Sequence, residues 1–337
     1  MRPVSVFRLV LSGSLLFFSS WPAAAHVKWV APYEVPAQPR PLADVLSGVF
    51  FQLLIAGLLV LAGVCLLERT PVGAVLARSF DRMGAGIRAR SEDLYRAGTA
   101  AFCIALFTLG NIILTPELHT DHPLIPWLQA GIAIGMFWRG TMVLSAAGIV
   151  ALYAYGWLSY GAFHMLDYPI FLGLALYLAM TAAKVRVQGF RPLDVARWGA
   201  AITLMWASIE KWAYPQWTYP LLEAHRDLCM GLSPTFYMVA AGFVEFSLAF
   251  ALLWTPLVRG LAATVLAAMF VSAVFEFGRV DAIGHLMIIV ILLTVGADNA
   301  PAPRRVALAP VCYCAALVVT FAAYYGLHAA IYGTQIW

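Results

Sequence analysis

Two adjacent charged residues, Glu210 and Lys211, lie in a stretch otherwise made of Ala, Leu, Ile, Met, Ser and Trp. Charge at membrane depth is costly unless it is paired or hydrated, so such residues are candidates for chemistry. Adjacent helix positions point about 100° apart, so Glu210 and Lys211 need separate partners on other helices. The segments that follow offer Glu245, Glu276, Asp281 and His285. Lys211 stands about 13 residues, roughly 20 Å, from the inner end of its segment, and Glu245 about 11 residues, roughly 17 Å, from the outer end of its own. In a hydrocarbon core of about 30 Å those depths nearly coincide, which predicts a Lys211–Glu245 pair. The residue types of this nest suit a proton relay or the binding of a polar head group. A structural ion pair is the alternative.

The seven histidines are His26, His119, His122, His164, His225, His285 and His328. Cleavage of a leader after Ala25 would make His26 an N-terminus whose amine and ring nitrogen can chelate one metal ion. The amine, with an ordinary pKa of about 8, deprotonates readily near neutral pH. A third imidazole would complete a T-shaped copper site of the histidine-brace kind, and nitrogen ligands favour copper. His119 and His122, spaced HxxH, and His164 are the candidate further ligands. His164 and Asp167, three apart, share a face if that segment is helical, as Asp281 and His285 do at a spacing of four. Trp206, Trp212 and Trp217 are the best-placed residues to stack on a quinone. The alternative for the tryptophans is an aromatic belt at the membrane faces.

These groups must be carried by membrane helices. The chain has 337 residues, is 62% hydrophobic and only 11% charged, with mean hydropathy +0.83. A soluble domain carries about 25% charged residues. The fold class is therefore all-α, a polytopic transmembrane bundle. Residues 1–25 read as a signal peptide, with Arg2 and Arg8, a short apolar run and Ala23-Ala24-Ala25 at a cleavage position. Residues 26–45, with Pro32, Pro36, Pro39 and Pro41, read as an extended exported arm. Ten apolar segments follow, at roughly 46–67, 97–115, 124–138, 140–159, 168–183, 198–214, 234–254, 257–276, 282–297 and 306–330. The stretch between the first two is taken as a basic loop. With the mature N-terminus outside, fourteen Lys and Arg fall in inner loops and four in outer ones, as the positive-inside rule requires. That asymmetry accounts for the net charge of +4 without nucleic acid. Both mature termini then lie outside a cytoplasmic membrane. Five cysteines, four inside apolar segments, predict no structural disulfide. Gly131 and Gly135 form a GxxxG spacing that suggests close helix packing.

The stretch 195–298 carries Ile209-Glu210-Lys211-Trp212 followed by Pro215, then Gly242-Phe243-Val244-Glu245, the turn Arg259-Gly260 and Gly284-His285-Leu286. In these residues it resembles the DoxX-like family of small membrane proteins. The resemblance implies a four-helix unit, and family members are linked to membrane redox chemistry with sulfur compounds or quinones. Residues 46–194 hold the helices before this unit, and 299–337 the last one. Proline and arginine positions recur between helices two to five and six to nine, so the chain reads as one such unit or as two in tandem.

Three functions remain open: copper binding or handling on the outer face, with a periplasmic metalloprotein as partner; a membrane oxidoreductase component exchanging electrons or protons with a quinone and a redox partner; and a scaffold subunit without chemistry. The bilayer is the one partner common to all. The sequence carries no CxxCH haem signature.

Overall fold

A computed structural model describes residues 27–29, 31–301 and 308–337. The expected signal peptide, His26 and the inner-loop arginines Arg304 and Arg305 lie outside the described residues. The described residues are helical and contain no strand. Eleven helices of twelve residues or more are present among them: α1 Gly48–Leu67, α2 Pro71–Ala89, α3 Ser91–Leu109, α4 Leu124–Gly135, α5 Met142–Tyr160, α6 Pro169–Ala183, α7 Pro192–Ala213, α8 Pro234–Ala251, α9 Pro256–Phe277, α10 Arg279–Gly296 and α11 Ala309–Tyr332. Their starts follow from local chemistry. Pro71, Pro169, Pro192, Pro234 and Pro256 stand in the first turn, where no amide donor is needed. The hydroxyls of Ser47, Thr70 and Ser233 cap amides of α1, α2 and α8.

Six of the described helices are long and apolar enough to cross a membrane: α1, α5 with its lead-in turn, α8, α9, α10 and α11. This is a multi-pass membrane protein. α4 and α6 are equally apolar but shorter. α3 and α7 are long but carry charge, with Glu92, Asp93 and Arg96 in one and Asp194, Arg197, Glu210 and Lys211 in the other.

The basic loop expected after the first helix is instead α2. Its exposed Arg78 and Arg82 alternate with Phe80, Gly84 and Ile87, which meet α9 and α10. The helical period of such an amphipathic helix hides behind its low hydropathy.

α3 to α6 pack in sequence and close on themselves through the stacked rings of Tyr95 and Tyr177, 3.7 Å between centroids. α7 to α10 also pack in sequence, and α10 returns to α7. The two sets meet where α6 packs on α7 and where α10 packs on α3. At the first seam, Gly173 and Gly199 face each other so closely that a Cβ on either would lie about 3 Å from the other's Cα. The expected GxxxG contact divides: Gly135 is tight against Ser145, whereas Gly131 faces open space. α1 and α11 flank α8.

Loops segregate to two ends of the bundle. One end gathers the arm, the 110–123 and 161–168 segments, the residues after α7 and the C-terminus, tied by bonds such as Arg40 N to Ala213 O and Leu42 N to Ile336 O. The other end holds a charge network. Arg191, Arg197 and Arg259 all bond Asp298, and the first two also bond Asp194. Three cations on two carboxylates hold both Asp298 and Arg259 in the interior. Against burial, Arg191 and Arg259 keep the Asp298 carboxyl below the usual range. All five cysteines are free thiols.

Candidate functional site

The site is built at the arm end. Four prolines limit the arm to single helical turns, Val27–Trp29 and Leu42–Val45, and it spends other hydrogen bonds on neighbouring segments. The Tyr214 hydroxyl donates to Ala37 O at 2.8 Å, and His328 Nε2 donates to Val35 O at 2.8 Å. This seats the turn Val27–Trp29 over the ends of α7 and α10.

Lys28 is buried there. Its Nζ donates to Asp167 Oδ2 at 2.5 Å and to Glu210 Oε1 at 2.6 Å. The same nitrogen lies 5.6 Å from the ring centres of both Tyr33 and Trp217, within cation–π range. Burial alone would strip the charge from Lys28. The two carboxylates overcome it and raise the ammonium above the ordinary lysine range. Asp167 is also held well above the usual carboxylate range, by burial and then by repulsion from Glu210. Two carboxylates thus share one ammonium.

Two more groups lie under the arm. Glu117 is buried, and burial pushes its carboxyl up to about 7 against the pull of the Lys28 charge. His164 is buried edge-on to Tyr33 and Tyr160, at 5.6 and 5.3 Å. Burial first, then the Lys28 charge, lowers it to about 3. Its Nε2 has no hydrogen-bond partner among the described residues.

Beneath Trp29 is a cavity of about 70 Å³ measured at water centres. A single water needs about 10–15 Å³ on that measure, so several fit. Asp167, Lys211, Glu245, His285, Thr115 and Thr203 supply its polar wall. Lys211 pairs with Glu245. His285 Nδ1 donates to Asp281 Oδ2 at 2.7 Å, and its ring lies between Trp29 and Phe270, at 4.7 and 4.5 Å. Trp29 fits only because residue 284 is glycine: a Cβ there would lie 2.1 Å from the indole ring.

Glu117, Asp167, Glu210, Glu245 and Asp281 face Lys28, Lys211 and His285 as the cations of this site. Even with His285 protonated, full ionisation would leave two uncompensated negative charges out of water. Carboxylates in excess beside a cavity that has room for several waters are the parts a proton-exchange site requires.

The structure therefore brings together Glu210, Lys211, Glu245, Asp281 and His285 of the expected nest. Glu276 stands apart: it is exposed and pairs with His225 at 3.0 Å. His164 and Asp167 share no side-chain bond; Asp167 instead bonds Lys28 through Oδ2. The three tryptophans form no common surface. Trp206 packs on Phe163 and Tyr324. Trp212 stacks on Phe321 and bonds Val239 O. Trp217 stacks on Tyr214 and faces the arm.

His119 and His122 are exposed on their loop. Among the described residues, no three His, Cys, Asp or Glu side chains gather as a metal-ligand set. Lys28 and Glu117 were not anticipated as site residues. The one hint for Lys28 was a charge beside Trp29 in the otherwise apolar and aromatic run 27–33.

Comparison with known protein families, curated proteins and solved structures finds no match to this chain.

Proposed function

We propose that this chain is the proton-handling component of a membrane oxidoreductase, working on a quinone at the outer face of a cytoplasmic membrane. The observation that carries the reading is a cavity roomy enough for several waters and lined by Lys211, Glu245, His285 and Asp167, with Asp281 bonded to His285, so that carboxylates outnumber cations. Quinone chemistry moves two protons with two electrons, so it needs such groups at membrane depth. Glu245 and His285 are the residues to accept and return the protons. The electrons go to a redox partner protein.

Ten spans with both mature termini outside fit the two-ended sorting of the loops and the crowding of arginines at one end. The DoxX-like reading of 195–298 is supported by the closed ring of α7 to α10. A tandem origin is supported by the matching ring of α3 to α6 and by the reciprocal seams α6–α7 and α10–α3.

The test is quinone binding by the protein in nanodiscs, read by tryptophan quenching with short-chain benzoquinones and naphthoquinones. Saturable binding, weakened at least tenfold in Glu245→Gln, supports the reading. No binding by the wild type removes it.

A second reading, copper handling, is favoured by one observation: the neutral His164 imidazole has an unpartnered Nε2 beside the arm. His26 would supply the chelating amine and ring after cleavage at Ala25, and His164, not the exposed His119 and His122, the third nitrogen. Copper content of the wild type beside His26→Ala and His164→Ala, with the intact mass, decides it. Equal copper in all three overturns it.

A further inference from the structure

We infer that Asp167, Glu210, Tyr33 and Trp217 form a binding site for a small primary alkylammonium, which the chain fills with its own Lys28. This does not rest on the quinone reading. The site has the parts such a ligand requires. Two carboxylates from separate segments bond one nitrogen at 2.5 and 2.6 Å. Both are nine-tenths or more buried. Two aromatic rings lie 5.6 Å from the same nitrogen. The geometry selects among cations. Carboxylates converging on one nitrogen suit a compact ammonium with several N–H donors, whereas a guanidinium presents a planar fork. A quaternary ammonium has no N–H to give the carboxylates.

Lys28 is positioned to leave. From Tyr33 onward the arm is held by its own bonds, Val35 to His328, Ala37 to Tyr214, Arg40 to Ala213 and Leu42 to Ile336. The turn Val27–Trp29 is held through Lys28 and Trp29. Lifting that turn leaves the rest of the arm in place. It also opens the cavity below, because Trp29 and Asp167 both line it. An external amine that takes the place of Lys28 would therefore uncover the polar nest. The tethered lysine competes at high local concentration, so the free site is best read in a chain without it.

The experiment uses the full chain in detergent with Lys28→Ala. Ethylammonium is titrated against the thermal unfolding midpoint, with sodium chloride and tetramethylammonium at equal ionic strength. The expected result is a saturable rise that recovers most of the loss caused by Lys28→Ala, absent with either control salt. Adding Asp167→Asn should weaken the response at least tenfold. Nα-acetyl-lysine amide, a stand-in for a partner's lysine, forms the second arm. A response to it without one to ethylammonium overturns the small-amine assignment. Should Lys28→Ala not be recovered folded, extraction and purification in ethylammonium supply the reading. Folded protein obtained only with that salt supports the site, and none under any condition overturns it. A flat ethylammonium titration of folded Lys28→Ala also overturns it.

Discussion

The ammonium of Lys28 stands 2.6 Å from Oε1 of Glu210, across 182 residues of sequence. That bond joins the proline-rich arm to the helix whose two charges mark the polar nest. It makes the arm a structural part of the site. Glu210 finds its partner outside the bundle, while its neighbour Lys211 finds Glu245 inside it. One adjacent pair of residues thus links the arm and the cavity.

Breaking the inner pair is expected to be expensive. Removing one member of a fully buried pair typically costs about 3–5 kcal/mol. Lys211 keeps 20% of its side chain exposed, so Lys211→Met should cost on the order of 2–3 kcal/mol. The double variant Lys211→Met/Glu245→Leu should recover most of that loss, because no unpaired carboxylate remains. Denaturant unfolding in mixed micelles measures both. Additive losses would mean that the two side chains are not coupled.

Gly284→Ala should expel Trp29, since its new Cβ would meet the indole at 2.1 Å. The arm end should then become open to protease and to acrylamide quenching. The effect should be non-additive with Trp29→Ala, because both changes remove the same contact. A Gly284→Ala protein whose Trp29 stays as protected as in the wild type would contradict the packing described.

Glu117 and His164 predict opposite pH dependences. The folded state pushes Glu117 up to about 7, so it binds that proton more tightly than the unfolded chain. This contribution is present below the ordinary carboxylate range and is lost as pH rises toward 7. Glu117→Gln should remove that loss, a gain over the wild type that reaches on the order of 3 kcal/mol by pH 8. His164 is held down to about 3. Its contribution is complete above the ordinary histidine value and is lost as pH falls from about 6.5 toward 3. His164→Phe should flatten that acid limb. Unfolding midpoints from pH 4 to pH 8 separate the two, and parallel profiles for wild type and both variants would refute the assignments.

Helix packing offers a check away from the site. Gly199→Ala should destabilise, because the new methyl meets backbone atoms of Pro169 and Gly173 at about 3.0 Å. Gly131→Ala meets nothing within 4 Å and should be neutral or stabilising by up to about 1 kcal/mol. Melting of the two variants side by side tests this. Equal losses would return Gly131 to the packing role suggested by its GxxxG spacing.

What the sequence by itself determined is what composition and local chemistry control. Apolar runs fix where helices form, because a backbone in lipid must satisfy its own hydrogen bonds. Prolines and hydroxyl caps fix where several helices begin. The depth argument sufficed for Lys211 and Glu245, since helix rise converts residue counts into height. The spacing of four likewise sufficed for Asp281 and His285. The amphipathic α2 escaped notice because low hydropathy masked its helical period.

Only the tertiary structure decided the rest. Asp167 pairs with Lys28 and not with His164, and Glu210 answers to an arm residue far away in the chain. Glu276 turns out to solvent, and the three tryptophans diverge. These outcomes depend on which way side chains face once helices are packed around one another. Hydropathy and spacing give the height of a residue in the bundle, but not its bearing around the helix axis relative to its neighbours. The place of the arm is less readable still, because a proline-rich segment has no periodicity of its own. Its course is set by the carbonyls, rings and carboxylates that the folded bundle presents to it.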